Sequence, residues 1–249
     1  MEERLDKILV KRNLVETRMQ AEQVISEIGV KVNGKLVNKP GKKFSIDCKI
    51  ALIENVSSWI SVESLKLVEA INKWKLKINE GIFIDVDCSK GEFTEVILKN
   101  GAKKVYALND VKDSLDVNLK KDDRIIDFTG IQLRELNGNN IKDELDGCVI
   151  DNSILPLSKI LPFIHPFLKE DAFVVTVIKP QLEVTKENLK NNGSVRNTLG
   201  YPEMFENLKA IGETNNLKYS NHIESPIIGK EGQQEFIMLF RKCKSGQTH

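Results

Sequence analysis

The sequence predicts an α/β protein in two parts, a small N-terminal α+β module and a larger, doubly wound, mostly parallel sheet. Three observations carry that reading. Ile82-Phe83-Ile84-Asp85-Val86 is a short apolar run, Asp87 to Gly91 turn through small and polar residues, and Phe93 to Leu98 close into an amphipathic pattern. This reads as a buried strand, a tight loop and a helix. Strand-like and helix-like segments then alternate to residue 241, the order that builds a parallel sheet with crossover helices. Ahead of them, Val30 to Val37 form two short strands around Asn33-Gly34, the strongest short-range hairpin signal.

Composition narrows the class. Of 249 residues, 41% are hydrophobic and 29% charged, enough to bury a core, while a net charge of +1 predicts no strong global attraction to nucleic acid. The charge is unevenly placed: residues 1–49 hold 11 Lys+Arg against 7 Asp+Glu, the remainder 26 against 29. Cys48, Cys88, Cys148 and Cys243 are far apart and form no C-x-x-C pair. That spacing predicts reduced thiols and neither a disulfide framework nor a zinc site, and no metal is expected. There is no N-terminal apolar h-region and no apolar run of about 18 residues. The expectation is a cytoplasmic protein with no membrane contact.

Residues 1–27 read as two helices. Leu5, Ile8 and Leu9 share one face, with Arg4, Lys7, Lys11 and Arg12 largely on another. Thr17 stands as N-cap of the second helix, with Gln20 in capping-box position, and Ala21, Val24 and Ile25 point inward. Gly29 ends it as a C′ glycine. From Ile28 to Ile46 there are five lysines (Lys31, Lys35, Lys39, Lys42, Lys43) and no acid. Residues 1–54 make the first module and 55–62 a linker, where Trp59 and Ile60 pack at the junction or Trp59 joins a core.

The second domain covers 63–243. A helix over 63–78 turns Leu65, Leu67, Val68 and Ile71 mostly inward and carries Lys66. Strands follow at 82–86, 104–108, 124–127, 147–151, 172–178 and 235–241, with helices near 92–99, 112–119, 157–165 and 202–216. Asp151 and Lys179-Pro180 come directly after strands, so they project from carboxyl ends, where α/β sheets bind ligands. The loop Glu183 to Gly200 is long enough to act as a lid or substrate loop. Residues 244–249 form a frayed tail.

Arg4-Leu5-Asp6, Thr17-Arg18 with Ala21, and Val30-Lys31-Val32-Asn33-Gly34, set on a helix–helix–hairpin, resemble the S-four domain, a small RNA-binding module. As charge alone the lysine run reads as a solvated face. The resemblance implies instead that Arg4, Arg18, Lys31, Lys35, Lys39, Lys42 and Lys43 form a surface for RNA phosphates.

The second domain is similar to the FtsJ-like ribose methyltransferases, a Rossmann-like fold, and the two-module order to the TlyA (hemolysin A) family of ribosomal-RNA 2′-O-methyltransferases. The pieces are Ser61 to Leu67, Asp85 to Phe93, Asp151 to Leu157, Val177 to Glu183, Gly193 to Arg196 and Gly232 to Phe236. The resemblance implies S-adenosylmethionine as cofactor and ribosomal RNA or a ribosomal subunit as partner. It also implies a Lys-Asp-Lys-Glu tetrad at Lys66, Asp151, Lys179 and Glu235. The residue types suit the chemistry. A ribose hydroxyl is a poor nucleophile, a lysine can orient or deprotonate it, and carboxylates can position the ammonium groups.

The implied cofactor residues are Asp85, Ser89, Gly91, Phe93 and Asn109. Here the sequence departs from the family's Asp-x-Gly-Ala-Ser-Thr-Gly-Gly-Phe: Asp87, Lys90 and Glu92 replace two glycines and the threonine. Asn109 stands where an acid is expected, and the neighbouring Asp110 is expected on the other face of its strand. Val62-Glu63 replaces an Arg-Gly pair, and Thr129-Gly130-Ile131-Gln132 stands for a Thr-Asn-x-Arg. Two readings follow. One is an active rRNA 2′-O-methyltransferase with an altered pocket. The other is a catalytically silent relative that grips ribosomal RNA or a ribosomal particle.

Overall fold

The computed structural model describes residues 2–15, 17–52, 61–151, 155–191, 193–196, 198–229 and 232–244. Trp59, Ile60, most of the linker, Asn152 to Ile154 and the last five residues of the tail lie outside the described residues. The chain divides into two compact units, residues 1–65 and 66–249.

In the first unit, β1 (Glu2–Arg4) leads into α1 (Leu5–Lys11), then α2 (Arg18–Gln23), which continues as a π-helical turn over Val24–Ile28. Thr17 caps α2: its Oγ accepts from the Gln20 N–H at 3.1 Å. Gly29 stops the turn with φ 85°, its N–H bonded to the Val24 carbonyl. Strands β2 (Val30–Val32) and β3 (Lys35–Val37) pair antiparallel in the register Val30↔Val37. Asn33 and Gly34 between them both take positive φ (50° and 81°), the type I′ geometry that suits strand twist. β4 (Lys43–Ser45) pairs with β1, and β5 (Ile50–Ala51) with β2. Leu5, Ile8, Leu9, Ala21, Val24 and Ile25 are all buried, so the inward faces expected of both helices form.

The second unit is built on a seven-stranded sheet. Its strands are β6 (Ile82–Val86), β7 (Lys104–Asn109), β8 (Ile125–Thr129), β9 (Leu145–Ile150), β10 (Leu168–Ile178), β11 (Leu217–Glu224) and β12 (Phe236–Lys242). The order is β11-β12-β10-β9-β6-β7-β8. β6, the first of these strands, lies inside the sheet, paired parallel to β7 on one side and β9 on the other. The chain runs outward from β6 through β7 and β8, then returns to begin again at β9. That reversal leaves a crevice at the carboxyl ends of β6 and β9, the position where such folds bind ligands.

β12 runs antiparallel to β10, with Ile178 opposite Phe236. Its entry therefore lies at the same edge as the exits of β6, β9 and β10. The helices are α3 (Ser64–Trp74), α4 (Glu92–Lys99), α5 (Leu161–Ile164), α6 (Pro180–Glu183) and α7 (Tyr201–Thr214). One face of the sheet (Ile84, Tyr106, Cys148, Ile150, Val174, Met238, Phe240) packs in a single core with Leu157, Leu161, Ile164, Met204 and Leu208. Among the described residues no helix is long and apolar enough to cross a membrane.

Three elements differ from the sequence reading. The expected helix over 112–119 is absent. Only a 3-10 turn, Leu119–Lys121, forms there. Asp113 takes φ 58°, and Asp116 accepts from the Asn118 N–H at 2.8 Å, so local side-chain bonds replace the helical ladder. The segment 157–165 breaks into short turns around Pro162 and Pro166. β11 is a polar edge strand whose half-exposed pattern gave no strand signal.

Candidate active site

Register brings the four tetrad residues together. Ile150 lies opposite both Val86 and Thr176, and Ile178 opposite Phe236, so Asp151, Lys179 and Glu235 all emerge at one edge. Lys66 enters from α3. Its Nζ lies 2.6 Å from Glu235 Oε2 and 3.5 Å from Asp151 Oδ2, and Lys179 Nζ lies 2.7 Å from Asp151 Oδ1. Asp151 thus joins two ammonium groups. Burial would raise its carboxyl, but Lys66 and Lys179 outweigh that and hold it below the ordinary carboxylate range. Burial pushes the Glu235 carboxyl up, against the pull of Lys66.

The two lysines differ in access. The Lys66 side chain is 2% exposed and that of Lys179 14%, so Lys179 is the one a substrate hydroxyl can reach. Gly229 packs on Glu235: a Cβ there would collide with Oε1 and lie 2.8 Å from Cδ. No larger residue leaves that carboxylate in place. The Val195 N–H donates to Gln233 Oε1 at 3.1 Å, and the Gln233 amide donates to the Tyr201 hydroxyl at 2.7 Å. The long 183–200 loop is therefore tied to the segment that delivers Glu235.

Beside the ends of β6 and β7 lies a cavity of about 580 Å³. Val86, Leu108, Ile131, Leu133, Ile160 and Phe163 make its walls apolar, and Asp87, Asn109, Asp110, Arg134 and Lys159 add polar groups. Of the five residues expected to hold a cofactor, only Asn109 lines it. Asp85 lies beneath the loop, 1% exposed, and accepts from the Thr94 hydroxyl at 2.7 Å. Burial lifts its carboxyl to about 8, with the Thr94 bond opposing. Gly91 and Phe93 are buried under the same loop, and Ser89 is exposed on it. Gly91 has φ 96°, and a Cβ there would lie 2.6 Å from Leu115 Cδ1, so the turn requires glycine.

Asp87 occupies the first glycine position with φ 60°, a conformation Asp tolerates better than most residues. Its Oδ1 accepts from Asn109 Nδ2 at 3.1 Å. Asp110, expected to face away, lines the cavity after all: β7 ends at Asn109 and the chain bends, so strand alternation no longer applies. Position 132 is glutamine, and Arg134, two residues on, lines the cavity beside it. A displaced arginine in the turn after β8 was the available signal.

The first unit places the expected basic residues in two groups. Arg4 and Arg18 converge on the fully buried Asp6, with Arg4 donating at 2.8 and 3.0 Å and Arg18 Nε at 3.0 Å. Led by Arg4, these bonds hold the Asp6 carboxyl well below its ordinary range. Arg18 also lies 3.1 Å from Glu22. Both arginines are thus tied into the module. Lys31, Lys35, Lys39, Lys42 and Lys43 are all exposed.

Comparison with known proteins matches this geometry. Residues 59–242 fit the model of the FtsJ-like methyltransferases, and residues 3–47 that of the S4 domain. Hemolysin A of Brachyspira hyodysenteriae is 29% identical over 95% of this chain and 99% of its own. The 16S/23S rRNA (cytidine-2′-O)-methyltransferase TlyA of Mycobacterium tuberculosis is 30% identical over 77% of this chain and 72% of its own. A solved structure from Streptococcus thermophilus, described as a hemolysin, superposes with a TM-score of 0.75 at 31% identity, covering 98% of this chain and 90% of that one. The chain belongs to the FtsJ-like methyltransferase family, in the TlyA and hemolysin A group that carries an N-terminal S4 domain.

Proposed function

We propose that this protein transfers a methyl group from S-adenosylmethionine to a ribose 2′-hydroxyl of ribosomal RNA, which its S4 domain helps to hold. The observation that carries the reading is the meeting of Lys66, Asp151, Lys179 and Glu235 within 3.5 Å contacts at the ligand edge of the sheet. The mycobacterial relative, named for cytidine 2′-O-methylation of 16S and 23S rRNA, supports the substrate class. On this reading the protein works in the cytoplasm, with its ribosomal substrate.

The residues around the cavity fit the cofactor. Apolar walls and a volume of about 580 Å³ suit a purine nucleoside. Arg134 and Lys159 are cations among its lining for the amino-acid carboxylate. When bound, the cofactor supplies a methyl group activated by a sulfonium. The chain supplies the rest. Asp151 orients the Lys179 side chain beside the ribose hydroxyl; in its neutral amine form Lys179 takes the hydroxyl proton as the methyl group is transferred, and Asp151 pairs with the ammonium so formed. Lys66, itself paired with Glu235, holds Asp151 from the buried side. Most of the rate then comes from alignment.

A second reading rests on Asp87, whose carboxylate lines the cavity where the family has glycine. On that reading the fold grips RNA without methyl transfer. Titration calorimetry with S-adenosylmethionine and S-adenosylhomocysteine, taken to millimolar ligand, separates the two. Saturable binding, followed by methylation of unmodified ribosomal RNA that Lys179→Ala abolishes without unfolding the protein, supports the enzyme. Binding of neither ligand supports the RNA-gripping role.

A further inference from the structure

We infer that Asp87 and Asn109 have exchanged roles, so that Asp87 is the carboxylate accepting the ribose hydroxyls of the bound nucleoside and Asn109 positions it. The inference rests on the cavity being a nucleoside site. In folds of this kind an acid at the end of the second strand, about 20 residues beyond the first loop, accepts from the ribose. Here that strand ends in Asn109, and the acid stands on the loop after the first strand.

The bonding of Asn109 commits it to other partners. Its Oδ1 already accepts from the Val111 N–H at 2.8 Å, which turns its Nδ2 toward Asp87 at 3.1 Å. The two bonds fix the orientation of the amide, since the flipped amide would set donor against donor and acceptor against acceptor. Asn109 therefore presents a donor to its neighbour, and its neighbour is a carboxylate. A carboxylate has about four acceptor positions, and the Asn109 bond aims this one.

The backbone agrees. Asp87 holds φ 60° in a loop where glycine would relax the conformation. Both residues line the same cavity, flanked by the apolar Val86 and Leu108 at the ends of β6 and β7. Asp110 is the other acid on the lining, but its side chain is exposed, whereas Asp87 is half-buried and held. The chemistry of the pair is that of a diol receptor: a held anion at the rim of an apolar slot.

The test is calorimetry with S-adenosylhomocysteine, adenosine and 2′,3′-dideoxyadenosine against four proteins: wild type, Asp87→Asn, Asp87→Gly, and Asp87→Gly with Asn109→Asp. Wild type is expected to prefer adenosine over the dideoxynucleoside by roughly ten- to hundredfold, the range for hydrogen bonds to a charged group. Asp87→Asn and Asp87→Gly should lose that preference while still binding S-adenosylhomocysteine. The double variant should regain it. Retention of the preference by both single variants overturns the exchange while leaving the nucleoside reading intact. No saturable binding by wild type overturns the nucleoside reading and the exchange with it.

Discussion

Glu235→Gln tests the buried half of the tetrad. Lys66 is 2% exposed, and its closest partner is Glu235 at 2.6 Å, with Asp151 at 3.5 Å already shared with Lys179. The amide is nearly isosteric, so packing is retained and only the charge is lost. Breaking one side of a buried pair costs about 3–5 kcal/mol, because the remaining charge stays desolvated. Asp151 still attracts Lys66, which favours the lower end, about 3 kcal/mol. For a domain of this size that is roughly 6–12 °C in Tm. Adding Lys66→Met removes the stranded cation, and Asp151 keeps Lys179. The double variant should then recover to within about 1 kcal/mol of wild type, since apolar replacement of a buried pair is close to neutral. Urea unfolding of the four proteins closes the cycle. A single variant within about 1 kcal/mol of wild type, or a double variant as unstable as the two singles summed, would refute the account of Lys66 as a buried, paired charge.

Other outcomes follow from the same geometry. Gly229→Ala should displace Glu235 and lower methyl transfer more than it lowers stability, because its Cβ meets the carboxylate itself; equal kcat in the variant would contradict this. Asp85 binds its proton more tightly folded, at about 8, than unfolded, at 3.8. Stability is therefore lost as pH rises from about 4 through 8, and Asp85→Asn should flatten that decline in Tm against pH, with the two proteins converging near pH 4. Lys31→Ala with Lys35→Ala should reduce the slope of log K against log salt for RNA by about 1–2 without changing Tm, as both side chains are exposed; an unchanged slope would remove the hairpin face from RNA binding. Arg18→Ala should instead lower Tm, since Arg18 is bonded to the buried Asp6.

The parts legible in the sequence are those where one interaction dominates. The hairpin at Asn33-Gly34 was legible because two positive φ angles in sequence suit few other residues. The central strands were legible because Ile82 to Val86 and Lys104 to Leu108 are packed in the sheet and must be apolar. The tetrad was named from the family resemblance; the sequence by itself showed only that Asp151 and Lys179 follow strands, and the sheet register then brings them to one edge. What failed were elements held by competing local bonds. Between Asp110 and Asp122 the spacing of Val111, Leu115 and Leu119 looks helical, yet Val111 is 60% exposed, and the aspartates bond the backbone instead. The cavity was only partly legible, because its lining comes from turns. Asp110 and Arg134 face it through bends that no period of two or 3.6 describes.

The antiparallel placing of β12 bears on how the molecule is made. Lys66 is synthesised well before Glu235, its nearest counter-charge. Until β12 pairs with β10, Glu235 is not in place and Asp151, at 3.5 Å, is the more distant carboxylate beside the ammonium. During vectorial synthesis the growing sheet can order outward from β6, but Glu235 reaches Lys66 only when β12 pairs with β10. A chain that stops before Glu235 would leave Lys66 with Asp151 but without its nearest counter-charge. The ion pair that organises the chemistry therefore forms only once β12 has joined the sheet.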